Sequence, residues 1–214
     1  MGTTTLDQAT SRGLYSIKPA FVKALGPIER WARSRGITPS QVTAAAIPVE
    51  IATAAILVLA TWSPVLVVLV PPLAFLWMAL NALDGALARS TGLSSRRGAV
   101  FNELVDRFGD LLVIGVAFLV APHAIAALMA VGILTSELVA ALDWAINGDR
   151  VFVGPMGKPD RAAVVAFGAT MLLVWEPALI VAFAVVGVGA IIGALVRVRH
   201  LHIGPQAQDG GDAA

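Results

Sequence analysis

"NALDGALARSTGLSSRRGAVFNELVDRFGD", residues 81 to 110, is a polar stretch set between two long apolar runs. It carries Asp84, Glu103, Asp106 and Asp110, with the amides Asn81 and Asn102. Lipid-facing helices exclude carboxylates, so ionisable groups at such a place face a cavity, a partner or a ligand. At about 100° per residue, Asn81 and Asp84 fall near one helix face, with Ala88 one turn on. Asn102, Asp106 and Asp110 recur every fourth residue and form a second stripe. Two consecutive helices joined by the loop "STGLSSRRG" would therefore turn polar stripes towards each other.

The rest of the chain makes that placement one inside a membrane. Of 214 residues, 57% are hydrophobic and 14% charged, against about 25% charged in a soluble domain. The mean hydropathy is +0.82. Six apolar segments, at about 40–61, 64–88, 98–120, 123–146, 160–175 and 177–197, are each near the roughly 20 residues that a spanning helix needs. Turn signals separate them at Trp62-Ser63-Pro64, Ala121-Pro122-His123 and Trp175-Glu176-Pro177. Pro71-Pro72 is expected to kink or locally unwind the second span. The fold class is thus an all-α integral membrane protein of six transmembrane helices.

All fifteen Lys and Arg residues lie in the N-terminal segment, in 89–107, in 150–161, or at Arg197 and Arg199. The alternate turns have none. Basic loops mark the cytoplasm, so both termini and the polar stripes are expected on the cytoplasmic side of the cell membrane. Residues 15–36 mix Tyr15, Phe21, Leu25, Ile28 and Trp31 with basic residues, as does an amphipathic helix lying in the membrane interface among lipid headgroups. "GITPSQVT" (36–43) reads as a turn and a helix start with Pro39 early in the helix. Residues 1–14 form a polar tail, 15–203 one membrane domain, and 204–214 a small, polar tail expected to be disordered. No secretory signal peptide is evident, and the absence of cysteine excludes disulfides and thiolate metal sites.

Carboxylate and amide oxygens without His or Cys suit a hard divalent cation such as Mg2+, and Mg2+ suits a diphosphate whose oxygens it bridges. The competing reading has Asp84 paired with Arg89, and Asp106 with Arg107 or Arg97, as interfacial salt bridges. Gly85 removes a side chain beside Asp84, which lets a ligand or a backbone come close. Glu50, Glu137 and Asp143 lie in or near spans; such groups extend a cavity, serve proton movement or make interhelical hydrogen bonds, and none is assigned a catalytic role. Gly187, Gly189 and Gly193 suggest close helix contact, either within the chain or at a homodimer seam.

Asp84-Gly85, two residues, Ala88-Arg89, eight residues, Gly98, then positions 102 and 106: this order resembles the signature of the CDP-alcohol phosphotransferase (phosphatidyltransferase) family. "GITPSQVT" also looks like that family's entry motif. The resemblance implies a six-helix membrane enzyme of phospholipid synthesis. A CDP-linked donor such as CDP-diacylglycerol meets a polyol or polyol-phosphate acceptor, and CMP is displaced. It implies Mg2+ or Mn2+ held by Asn81, Asp84, Asn102 and Asp106, with Asp106 also the general base. Asp84, Gly85, Ala88, Arg89 and Gly98 would face the CDP diphosphate. Lys158 and Arg161, in "GPMGKPDR", resemble an element associated with an acceptor phosphate. The implied partners are the donor, the acceptor and membrane lipids, with no nucleic acid.

Asn81 and Asn102 stand where the signature has aspartates. An amide oxygen can still coordinate a hard cation but brings no charge. The ligand charge falls from −4 to −2, which implies a weaker or single-metal site. A non-catalytic CDP-lipid-binding protein and a small ion-coupled transporter are the rival classes.

Overall fold

The computed structural model describes residues 18–147 and 154–200; the tails at 1–14 and 204–214 lie outside them. Every regular element in the described residues is helical. Two short helices, α1 (Lys18–Ala24) and α2 (Gly26–Ser34), precede α3 (Pro39–Leu59). A 3-10 segment, Pro64–Leu69, leads into α4 (Val70–Thr91). Then follow α5 (Arg96–Val120), α6 (His123–Asn147), α7 (Lys158–Met171) and α8 (Ala178–His200). The helices α3 to α8 overlap the six apolar segments.

Four of the spans are long and apolar enough to cross a membrane: Pro39–Leu59, Pro64–Thr91, His123–Ile146 and Ala178–Arg199. The other two differ for physical reasons. α5 carries Glu103, Asp106, Arg107 and Asp110 within its first 15 residues. α7 has 14 residues, about 21 Å at 1.5 Å per residue, and the chain leaves it by turns at 172–174 rather than continuing to 175.

Local chemistry explains the boundaries. Thr38 caps α3: its hydroxyl accepts from the Gln41 amide at 3.3 Å, and Gln41 Oε1 accepts from the Thr38 amide at 2.9 Å. Pro39 takes the first helical position, where a missing N–H leaves no bond unmade. The expected kink at Pro71-Pro72 is corrected on the same ground. The pair sits in the first turn of α4, and the departure from α-helix is the 3-10 segment before it. The single helix expected over 15–36 is two within the described part. Pro27 has no N–H to offer the carbonyl of Lys23, and the chain breaks near Leu25. Gly92 ends α4 in the left-handed region at φ +69°, and the Ser95 hydroxyl caps α5.

The apolar centre contains Leu57, Val67, Val70, Ile114, Ala117, Met129, Ile133, Ala169, Phe183 and Val186, drawn from all six helices α3 to α8 and the 3-10 segment. Many large apolar side chains point outward instead, Leu119, Trp62 and Val174 among the most exposed, as suits a surface solvated by hydrocarbon. This is a membrane protein.

In lipid, close helix contact comes from small residues that let backbones approach. A Cβ on Gly132 of α6 would strike the carbonyl oxygen of Gly187 on α8. Gly189 meets Met156, and Gly193 the carbonyl of Pro155. The glycines of the last helix therefore serve contacts within the chain, and a second copy would have to meet another face. Gly132→Val should lower unfolding stability in detergent by about 1–3 kcal/mol, the range for overpacking. Gly115→Ala, with nothing within 4 Å of the added carbon, should not lower stability, since alanine favours a helix interior over glycine. Equal unfolding midpoints for Gly132→Val and the parent chain would refute this packing.

Candidate active site

The facing stripes of α4 and α5 enclose a cavity of about 170 Å³. Asp84, Gly85 and Ala88 line it from α4, Gly98 and Asn102 from α5, and Ser40 and Thr43 from the start of α3. Asp84 is 6% exposed, and its Oδ2 accepts from the Thr43 hydroxyl at 2.9 Å. The capping box that starts α3 thus places Thr43 one turn on, where it holds the Asp84 carboxylate. Asn102 Oδ1 is buried with no hydrogen-bond partner. An orphaned acceptor is costly, and this one shares a cavity with a carboxylate. Together they form an oxygen donor set suited to a hard cation.

The glycines keep the cavity open. The backbone N–H of Gly98 donates to Ser95 Oγ at 3.0 Å, and a Cβ there would come within 3.1 Å of that oxygen. A Cβ on Gly85 would stand 3.4 Å from Arg89 Nη1. Five of the expected site residues (Asp84, Gly85, Ala88, Gly98 and Asn102) are thus brought together. Asn81 and Arg89 do not line this cavity. Asn81 Nδ2 donates to the Trp77 carbonyl of its own helix at 3.0 Å, a bond that an aspartate could not make.

Asp106, one turn along α5 from Asn102, opens on a second cavity of about 100 Å³. Its Oδ1 lies 2.8 Å from Lys158 Nζ. Asp106 therefore has an ion-pair partner, and it is Lys158 rather than Arg107 or Arg97. Lys158 Nζ also stands 5.8 Å over the Trp77 ring, close enough for a cation–π contact. Trp77 Nε1 donates to Glu50 Oε1 at 2.9 Å. Asp106, Lys158, Trp77 and Glu50 thus follow one another across four helices.

Behind them lies an ion cluster. Arg161 Nη2 donates to Asp110 Oδ1 at 3.0 Å and to Glu137 Oε1 at 2.7 Å. Arg107 binds Glu103 at 2.7 Å, Asp110 at 3.0 Å and Glu137 at 2.6 Å. Lys158 and Arg161, expected at an acceptor phosphate, do line the second cavity beside Asp106, and both are ion-paired. Glu50, Trp77, Asp110 and Glu137 complete this region. Asp110 was legible from its four-residue stripe. Glu50 and Glu137 showed only as carboxylates inside apolar segments, and nothing in the sequence marked Trp77.

A family model described as CDP-alcohol phosphatidyltransferase matches residues 36–196, which include both cavities. The chain belongs to the CDP-alcohol phosphatidyltransferase family. It is accordingly a membrane-bound transferase of phospholipid synthesis. It is 38% identical over 154 residues to an Escherichia coli (strain K12) protein named inner membrane protein YnbA, covering 71% of this chain and 76% of that one. It is 28% identical over 212 residues to the phosphatidylinositol phosphate synthase of Mycobacterium marinum, covering 93% and 88%. Among solved structures, the Mycobacterium tuberculosis phosphatidylinositol phosphate synthase with CDP-DAG bound is similar, with a TM-score of 0.66 and 25% identity over 86% of this chain and 96% of that one. The same enzyme in complex with manganese and citrate, at 24% identity and a TM-score of 0.67 over 86% and 91%, shares the fold.

If Asn102 Oδ1 faces the cation, a carboxylate there should bind it more tightly. Asn102→Asp should raise Mn2+ affinity at least tenfold, about 1.4 kcal/mol, in a titration followed by the electron paramagnetic resonance of free Mn2+. An unchanged affinity would remove Asn102 from the site.

Proposed function

We propose that this chain transfers a phosphatidyl group from CDP-diacylglycerol to the hydroxyl of a polyol or polyol phosphate, with release of CMP. The observation that carries the proposal is the cavity between α4 and α5, lined by Asp84, by Asn102 with its unpartnered side-chain oxygen, and by two glycines. The donor diphosphate lies there, and Gly85 and Gly98 leave it room. When bound, the divalent cation neutralises the diphosphate and the charge that builds on the leaving CMP.

The reaction is a displacement at phosphorus. The acceptor oxygen forms a bond to the lipid-bearing phosphorus, and the bond from that phosphorus to the CMP oxygen breaks. The hydroxyl proton passes to the Asp106 carboxylate. Lys158 holds Asp106 by the 2.8 Å ion pair, which fixes the base next to the second cavity, where the acceptor enters. Thr43 keeps Asp84 in place. The signature places Asn81 and Asp106 with Asp84 and Asn102 as metal ligands. Here Asp84 and Asn102 have the better claim, because Asn81 is tied to its own helix and Asp106 to Lys158.

The distribution of Lys and Arg supports six spans with both termini and the site on the cytoplasmic side. α5 and α7 would then complete the bundle, their charges turned inward. α2 exposes Ile28 and Trp31 while Ala32 is buried, which supports an interfacial position for it.

Asp106→Asn keeps the shape of the base but cannot take the proton. CMP release from CDP-diacylglycerol should fall by about two to four orders of magnitude, while CDP-diacylglycerol still binds. Chelation with EDTA should stop the parent enzyme, and Mn2+ should restore it. Full CMP release by Asp106→Asn would contradict the assignment.

A further inference from the structure

Lys158 has two carboxylates within reach. Its Nζ lies 2.8 Å from Asp106 Oδ1 and 4.0 Å from Asp110 Oδ2. These two stand one turn apart on the same face of α5, and an ammonium on a flexible stem can turn from one to the other. Which of them it holds decides whether the candidate base is fixed. Charge favours Asp106 while that group is ionised, because Asp110 already has Arg107 and Arg161. The preference fades once Asp106 takes a proton. The wall around these groups is largely apolar, with Thr53, Leu57, Val70 and Ala74 beside Trp77. Charges are poorly screened there, so an ammonium that moved to Asp110 would be held at the wrong carboxylate.

The third neighbour of the ammonium is the Trp77 ring, with 5.8 Å from Nζ to the centroid, within the range of cation–π attraction. Its hold does not depend on whether Asp106 carries a proton. The ring is itself fixed from its far edge, where Nε1 donates to Glu50 Oε1 at 2.9 Å. An acceptor on the indole N–H polarises the ring, as bonds in a chain polarise one another, and so strengthens its face for a cation. Glu50 is seated in turn by α5, because a Cβ on Gly109 would collide with its carboxylate. Gly109 follows Asp106 by three residues, so one face of α5 carries the base and the gap that seats Glu50.

We propose that Trp77 and Glu50 are positioning residues for the transfer: Glu50 fixes the indole by its N–H, and the indole face holds the Lys158 ammonium on Asp106 rather than Asp110. The inference rests on the transferase reading above, with Asp106 as the base. Neither residue exchanges a proton. The acceptor hydroxyl gives its proton to Asp106, and the attraction between that carboxylate and Lys158 weakens as the charge is lost. Trp77 keeps the ammonium in place through this step, so Asp106 stays oriented until its proton leaves.

The test measures CMP release from CDP-diacylglycerol with Mn2+ and a panel of glycerol, inositol and their phosphates, in the parent chain and in a Lys158→Met chain. In the parent, Trp77→Leu should lower kcat by about tenfold, in the range of a desolvated cation–π contact, with the KM for CDP-diacylglycerol unchanged. Trp77→Phe keeps a ring and should lose less. Glu50→Leu should lower kcat in the same way, and Glu50→Gln, which can still accept from the indole, should restore most of the loss. In the Lys158→Met chain, Trp77→Leu and Glu50→Leu should each change kcat by less than about twofold, since both act through the missing ammonium. Damage to the fold would cost the same factor in both chains. The 15N–1H resonance of the Trp77 indole, assigned by its loss in Trp77→Phe, reads the contacts without turnover. It should move in Glu50→Leu and in Lys158→Met. Equal losses in both chains, or a resonance that neither substitution moves, overturns the proposal. A resonance that moves in both, in a parent chain that releases no CMP with any acceptor, supports the Glu50–Trp77–Lys158 contacts and overturns the transferase reading instead. No release and no movement overturn both.

Discussion

Arg161 is the charge around which the interior is built. It sits near the start of α7, buried, and reaches Asp110 on α5 and Glu137 on α6 at once. Arg107 closes the same two carboxylates from the other side. A buried ion pair adds little net stability over apolar packing, but removing one partner strands a charge, at about 3–5 kcal/mol. The three helices are therefore tied in one register, because any slip would leave a charge unmatched in an apolar surround. Lys158, three residues before Arg161 and so on the same side of α7, is brought by that register to Asp106. The candidate base is thus positioned by the ion network behind it.

The bundle divides the chemistry between two cavities joined along α5. Asn102 faces the one that holds Asp84, and Asp106, a turn later, faces the one that holds Glu50 and Arg161. Donor and acceptor would approach α5 from different sides and meet between these residues. The amide at 81 fits this division. Its Nδ2 bond to the Trp77 carbonyl would become a repulsion between oxygens with aspartate. Asn81 is thus compatible with a site that relies on fewer charges, centred on Asp84 and Asn102.

The six helices, their turns and the α4–α5 stripe were legible because hydropathy and four-residue spacing are properties of the chain alone. Glycine at 85 and 98 and the Thr38–Gln41 capping box were legible for the same local reason. The ion cluster was not. The competing salt-bridge reading paired Asp106 with Arg107 or Arg97, nearby in the chain, whereas the fold offers it Lys158, 52 positions away. Arg107 is drawn instead to Glu137, a contact set by how α5 packs on α6. Trp77 is one more aromatic residue in an apolar run until α3 places Glu50 against its N–H. The shortness of α7 and the 3-10 entry to α4 were missed because hydropathy reports burial in lipid and not helix length.

The central claim is that the Asp84–Asn102 cavity binds a divalent cation with one carboxylate where a four-carboxylate site has four. Counting Mn2+ bound per chain tests it most directly, with and without CDP-diacylglycerol, in the parent protein and in Asp84→Asn. The account predicts weak binding of one cation to the free protein, tightening when the donor diphosphate is present, and loss of that cation in Asp84→Asn. Two tightly bound cations without nucleotide, or unchanged binding in Asp84→Asn, would contradict it.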